Sequence, residues 1–357
     1  MVHRASPKAM RWKYEGVGGG HDQPCRQSYF GPSMPAQRFG SDETGCRLTS
    51  MKSATRSAIG GAVLCGLLLS VIGLKADAVE LAGKKYTYKT SGGKPRGIEV
   101  FSPANHDPAT KKTPGIILFH GGNWTDGTPA EFHDACRYFA SRGLVAATVD
   151  YRMLLPYGAE KDKDPKSGMT RKQVCVCDAK SAIRWFKEYA EALGVDPAQI
   201  VVGGGSAGGH IAVLASTTPD LDDPTDPPGI DTSVAAYVLW APACTEADAN
   251  DPPIDARRHV GKNLAPAVVF FGTEDTWLKH WKNLTQYSIR PRGGAEPVVW
   301  LAQGGDHVVF GKPDWRLATL AAADRFLVDR GFLTGVSTLP PSPGGKTLTP
   351  AGAVPGQ

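Results

Sequence analysis

Seven short apolar runs, spread over residues 97–302, constrain this chain more than any other feature. They are GIEVFSPA (97–104), GIILFH (115–120), LVAATVDY (144–151), IVVGG (200–204), AAYVLWAP (235–242), AVVFFGT (267–273) and PVVWLA (297–302). Most are continuously apolar, the pattern of strands buried on both faces of a largely parallel sheet. Segments with helical spacing lie between them. In 178–194, Ile183, Phe186, Ala190 and Leu193 share one face and Gly194 supplies a stop. In 314–331, Leu317, Leu320 and Leu327 repeat the arrangement ahead of Gly331. This alternation predicts one doubly wound α/β domain over 79–334 rather than two smaller domains.

The flanks read differently. Residues 51–78 carry a basic start (Lys52, Arg56), an apolar stretch from Ala58 to Leu74 and an A-x-A sequence at Ala76-Asp77-Ala78. That is the three-part layout of a secretory signal peptide, so the chain is expected to be exported, periplasmic or extracellular. The alternative is an uncleaved membrane anchor, because the apolar stretch is near the short limit for a span. Residues 1–50 show no periodicity, and Met51 is the expected natural start, with the upstream residues non-native or disordered. The tail, 335–357, is rich in Pro, Gly and Thr and is expected to be disordered.

Charge placement bears on partners. The net charge is +5, with 40 Lys and Arg against 35 Asp and Glu. Ten of the bases and only five of the acids precede Val79, so the remainder is neutral overall. A neutral body argues against nucleic-acid binding. No stable membrane association is expected once the signal segment is removed. The cysteines beyond it, Cys136, Cys175, Cys177 and Cys244, match no zinc-ligand spacing and read as buried free thiols. Three loops are long for the architecture: 152–170, 218–232 and 244–263. The second bunches Asp220, Asp222, Asp223 and Asp226 without an EF-hand spacing and reads as a solvated acidic loop.

The chemistry gathers around VVGGGSAGGH, residues 201–210. Gly204-Gly205-Ser206-Ala207-Gly208 fits G-x-S-x-G, directly after an apolar strand and at the start of a helix-compatible segment. Strand, tight turn and helix are the setting of a nucleophile elbow, where small neighbours let strand and helix approach. A serine hydroxyl needs a base. Downstream stand His210, His259, His280 and His307. His307 lies in a glycine loop just past the last apolar run and is the candidate base. His210, on the segment opened by Ser206, is expected to pack or bond locally, and His259 and His280 to lie at the surface. Asp275, directly after the run 267–273, is the candidate partner of the base, with Glu274 and Asp306 as alternatives.

The order Ser206, Asp275, His307 is that of α/β-hydrolases. FHGGNW (119–124), GGGSAGGH, DYR (150–152), GTED and GGDH together resemble the hormone-sensitive-lipase-like esterases and the bacterial feruloyl and acetyl-xylan esterases. The resemblance runs from about Gly97 to Gly331. It implies an α/β-hydrolase fold: a mostly parallel sheet of about eight strands with helices on both faces. It also implies a serine carboxylesterase with no metal and no organic cofactor. Its oxyanion hole would draw on backbone N–H groups of Gly121, Gly122 or Asn123, with that of Ala207, and His120 would brace the loop. Asn123 departs from the family's third glycine. Trp124, Tyr151, Tyr157 and Trp277 are candidate pocket residues. The expected substrate is a small-molecule or carbohydrate ester with a short acyl group. The competing activities are a lipase or aryl esterase and an arylformamidase-type amidase. A non-catalytic binding protein of the same fold is the alternative from another class.

Overall fold

The computed structural model describes residues 81–91, 93–154 and 163–351. The expected signal segment 51–78, the residues before it and Tyr157 lie outside the described residues.

The described residues form nine strands: β1 (Lys84–Ser91), β2 (Lys94–Phe101), β3 (Thr113–Phe119), β4 (Val145–Val149), β5 (Val195–Gly205), β6 (Ala236–Trp240), β7 (Ala267–Gly272), β8 (Val298–Ala302) and β9 (Leu348–Pro350). They make one sheet in the order β1-β2-β4-β3-β5-β6-β7-β8-β9. β3 through β8 are mutually parallel, whereas β1, β2 and β9 join antiparallel neighbours at the two ends. Each of the seven apolar runs contains or overlaps a strand.

The helices are α1 (His133–Ser141), α2 (Arg171–Glu188), α3 (Ala190–Leu193), α4 (Ala207–Thr217), α5 (Ala256–His259), α6 (Leu278–Leu284) and α7 (Pro313–Asp329). Successive strand residues serve opposite faces. Ile117, Phe119, Val202, Leu239 and Phe271 pack in the core that includes Ile183 of α2, Ile211 of α4 and Trp281 of α6. Ile116, Leu118, Val201, Val238 and Phe270 pack in the other, with Phe139 of α1 and Leu327 of α7. Two buried faces explain why these strands read as unbroken apolar runs.

α2 begins before the segment whose spacing announced it. Thr170 and Gln173 form a capping box, the Thr170 side chain accepting the Gln173 N–H while the Gln173 side chain accepts that of Thr170. Gly194 ends α3 with φ of 67°, the left-handed value that glycine adopts at little cost. Cys136, Cys175, Cys177 and Cys244 are buried and free. Burial pushes their thiols up, that of Cys177 to about 11, so they are not poised as thiolates.

Two expectations need correcting. Residues 335–351 are not disordered. Leu339 and Leu348 pack on the core beside Trp300, and β9 pairs with the otherwise open edge of β8. A few apolar side chains and an unpaired edge suffice to order a segment of Pro/Gly-rich composition. Nor is 218–232 merely a solvated acidic loop. Asp222 and Asp226 pair with Arg184 at 2.7 and 2.9 Å, and Asp222 also pairs with Lys180 at 2.6 Å. Asp223 pairs with Lys89 at 2.5 Å. Lys180 and Arg184 are buried on α2, and a buried cation needs an acid beside it. Burial works against the Asp223 carboxylate, but hydrogen bonds from Lys89 and Thr225 hold its pKa down at about 2.

Candidate active site

The site lies at the carboxyl ends of the parallel strands, where open α/β sheets place their ligands. β5 delivers the chain to Ser206, and α4 starts at the next residue. Ser206 has φ 51° and ψ −117°, a strained backbone for a residue with a side chain. Neighbouring backbone holds it there. Its N–H donates to Trp240 O at 2.8 Å, and its carbonyl accepts the Ala243 N–H at 3.0 Å. A Cβ on Gly204 or on Gly208 would run into the Phe119 carbonyl oxygen, so β3, β5 and α4 approach this closely only because both residues are glycine.

Ser206, His307 and Asp275 arrive from three strand ends. His307 Nε2 lies 2.7 Å from Ser206 Oγ, and His307 Nδ1 lies 2.9 Å from Asp275 Oδ2. Because a carboxylate only accepts, Nδ1 carries the proton and Nε2 offers its lone pair to the serine hydroxyl. The second carboxylate oxygen, Asp275 Oδ1, accepts the Trp277 N–H at 2.9 Å. The Asp275 side chain is fully buried, while His307 keeps 30% of its side chain exposed to the cleft. The alternatives for the acid stand elsewhere: Glu274 is exposed, and Asp306 pairs with Lys312 at 2.5 Å.

The other histidines are engaged away from Ser206. His210 is buried with Nε2 3.1 Å from Ile254 O and 3.5 Å from Asp248 Oδ2, so its partners are distant in sequence rather than local. His259 contacts Pro252 O, and His280 pairs with Glu246.

The loop after β3 bends sharply. Gly122, Asn123 and Trp124 have φ of 105°, 54° and 60°, three left-handed residues in succession. Asparagine tolerates that region and tryptophan does not, so surrounding contacts must hold Trp124. It is buried, its ring stands edge-on to His210 at 5.3 Å, and Lys172 Nζ sits 4.0 Å from the ring centroid. Lys172 is itself fixed by Asp248 at 2.5 Å. At the start of the loop, His120 Nδ1 donates to Gly121 O at 2.8 Å. Burial pulls the His120 pKa down to about 4, leaving a neutral ring.

Two placements differ from expectation. The Gly121 N–H already donates to Glu131 Oε1 at 2.9 Å, which removes it from the candidate oxyanion donors. Among the described residues, the N–H groups of Gly122, Asn123 and Ala207 have no protein partner; Gly122 and Asn123 line the cleft with Ser206, and Ala207 follows it in the chain. Tyr151 does not line the cleft. It is wholly buried, stacked on His120 at 4.3 Å, and donates its hydroxyl proton to His120 O at 2.7 Å. An aromatic at a strand end has served the loop beneath the cleft instead of its wall.

The cleft, about 570 Å³, is lined by Trp124 and Trp277 together with Ala243, Val308, Phe310 and Glu131 among others. The last four escaped the sequence reading. Nothing in GGDHVVF marks its valine and phenylalanine as cleft-facing, and Glu131 reaches Gly121 only through the turn that leads into α1.

Comparison with known proteins agrees with this architecture. The BD-FAE family matches residues 98–239, a span containing the 120–124 loop and Ser206. Thermogutta terrifontis esterase 2, in a structure phosphorylated by paraoxon, superimposes with a TM-score of 0.64 and 31% identity. The superposition covers 72% of this chain and 97% of that one. This chain belongs to the α/β-hydrolase serine esterases. The same Thermogutta esterase has also been solved with butyrate bound, at 30% identity and a TM-score of 0.63, covering 71% of this chain and 96% of that one. Among curated relatives, Mycobacterium tuberculosis Esterase LipC is 34% identical over 137 residues, 37% of this chain and 30% of LipC. Carboxylesterase NlhH from the same organism is 33% identical over 144 residues, 39% of this chain and 37% of NlhH. The matched stretches thus span about a third of these curated relatives.

Proposed function

We propose that the protein is a carboxylesterase that releases short acyl groups through an acyl-enzyme on Ser206. The observation that carries this reading is the continuous chain from Ser206 Oγ through His307 to buried Asp275, at 2.7 and 2.9 Å. His307 Nε2 takes the serine proton as Oγ attacks the ester carbonyl carbon. Asp275 keeps the ring in the right tautomer and stabilises the imidazolium. The negative charge on the former carbonyl oxygen meets the N–H groups of Gly122, Asn123 and Ala207, the last at the positive end of α4. As the tetrahedral intermediate collapses, His307 returns the proton to the departing alcohol. Water then attacks the acyl-enzyme by the same route and frees the acid.

Short acyl groups suit a cleft of this size, walled by Trp277, Phe310 and Val308. The structures of Thermogutta esterase 2 with butyrate and with propionate support the same substrate class. A carbohydrate alcohol is favoured by exposed Asn123 and Asp126 at the mouth, whose side chains can bond sugar hydroxyls. Export is proposed from residues 51–78 alone, and appearance of the processed chain in the periplasm or medium is the result expected on fractionation. The deciding enzymatic experiment is a release assay across acetylated xylan, feruloylated sugars and p-nitrophenyl esters of rising chain length. Ser206→Ala should lose both turnover and covalent labelling by a fluorophosphonate. An alanine variant that still turns over would end this reading.

A further inference from the structure

Glu131 stands in the cleft without a part in the steps above. Its carboxylate is tied to the loop, Oε1 accepting the Gly121 N–H at 2.9 Å. A Cβ built on Gly121 would lie 3.5 Å from this oxygen and 3.5 Å from Ser206 Cβ. The acid and the nucleophile's Cβ are therefore no more than about 7 Å apart, close enough for a charge to be felt by bound substrate. Glu131 is exposed and lines the cleft. Asp126 is the other acid of the lining, and no Lys or Arg joins them among the described residues. Lys172, beside the loop, is turned onto the Trp124 ring and Asp248. Partial burial pushes the Glu131 carboxyl up while the Gly121 amide pulls it back.

We propose that Glu131 is a specificity-determining residue that sets the charge of the substrate: esters taken by this cleft are neutral or cationic, and those bearing a carboxylate or phosphate beside the scissile bond are rejected. The inference rests on the carboxylesterase reading and deepens it. A substrate anion would lose hydration on entering and meet a like charge that no Lys or Arg among the described lining residues offsets. A cationic group would be drawn to the same place. Asp126 contributes less, because its Oδ1 is turned back to accept the Gly127 N–H at 2.7 Å.

The test uses four acetyl esters at pH 8, each rate divided by its hydroxide rate: anionic 4-acetoxybenzoate against neutral 4-acetoxybenzamide, and acetylcholine against its uncharged isostere 3,3-dimethylbutyl acetate. The full-length protein should show kcat/KM about tenfold lower for the anion than for its neutral partner, and a preference for acetylcholine over its isostere. Glu131→Gln, which keeps an oxygen for the Gly121 amide, should shrink the anionic gap to about threefold or less, whereas Asp126→Asn should leave most of it. Equal rates on anionic and neutral esters, or a gap that survives Glu131→Gln or closes in Asp126→Asn, would overturn the proposal. If Glu131→Gln does not fold, the two wild-type comparisons and Asp126→Asn still decide it. Turnover of neutral esters without charge discrimination sinks only this inference. No turnover of neutral esters and no fluorophosphonate labelling sinks the carboxylesterase reading instead.

Discussion

The two walls of the cleft are held by different means. The wall bearing Ser206, Asp275 and His307 hangs from the ends of β5, β7 and β8, and backbone secures it. Ser206 is pinned between Trp240 O and the Ala243 N–H, and the Glu274 N–H donates to Gly305 O between the Asp275 and His307 loops. The wall bearing Gly122 and Asn123 is a single strained loop after β3. Side chains from elsewhere secure it: Tyr151 under His120, Glu131 on Gly121, and His210 with Lys172 around Trp124. A wall anchored by strand pairing should fail abruptly, through chemistry or sterics. One anchored by side chains should weaken by degrees.

The largest effect is expected from Asp275→Asn. The amide keeps the shape but no longer favours the Nδ1–H tautomer or the imidazolium, so kcat should fall by about 10³–10⁴ while the fold is retained. Steady-state kinetics beside a thermal melt would check this; a fall below about tenfold would mean that another acid orients His307.

Gly208→Ala attacks the same wall sterically. The new methyl would overlap the Phe119 and His120 carbonyl oxygens, so backbone of strand or helix would have to shift. Loss of about 3 kcal/mol or more is expected from such overpacking of backbone on backbone. Urea unfolding reads it directly. A loss of less than about 1 kcal/mol would show that α4 can slide on β3, against the rigid wall described here.

These two walls also differ in how far they could be read from sequence. Ser206, Asp275 and His307 each follow an apolar run at short range, so strand-end position and residue type were enough to select them. The loop's supports obey no local rule. Glu131 looks like an ordinary helix-start acid, Tyr151 like a cleft aromatic, and Lys172 like a surface base until α2 is packed beside the loop. The same blindness produced the errors at the edges. Asp222, Asp223 and Asp226 look solvated until their partners on α2 and β1 are known. Leu339 and Leu348 are too sparse to announce that the tail closes an edge. Burial shared between distant segments is the information that a linear pattern lacks.

His120 offers a pH route into the second wall. Its pKa falls from the ordinary value of 6.5 to about 4 in the folded protein because burial disfavours the charged ring. The unfolded chain therefore binds the proton first as pH drops. Stability from this residue is complete above about pH 6.5 and is lost progressively down to about pH 4, by about 3 kcal/mol in total. Urea midpoints measured from pH 7.5 to 4.5 should fall steeply, and His120→Asn should flatten the slope in that window. An equal slope in the variant would place the acid sensitivity elsewhere.

The smallest expected effect is the most telling about how the second wall works. Tyr151→Phe keeps the ring stacked on His120 and removes only the hydroxyl that donates to His120 O at 2.7 Å. A buried hydrogen bond of this kind is worth about 1 kcal/mol net, so the melt should shift only slightly. Catalysis should respond more than stability, because Gly122 and Asn123 hang directly beyond His120 and the hole tolerates little displacement. A fall in kcat of about tenfold with KM nearly unchanged is the signature of donors misplaced for the transition state alone. A matching rise in KM would mean that the loop shapes substrate binding instead. With kcat unchanged, the loop would keep its geometry from Glu131, His210 and Lys172 without help from below, and the second wall would be as firmly built as the first.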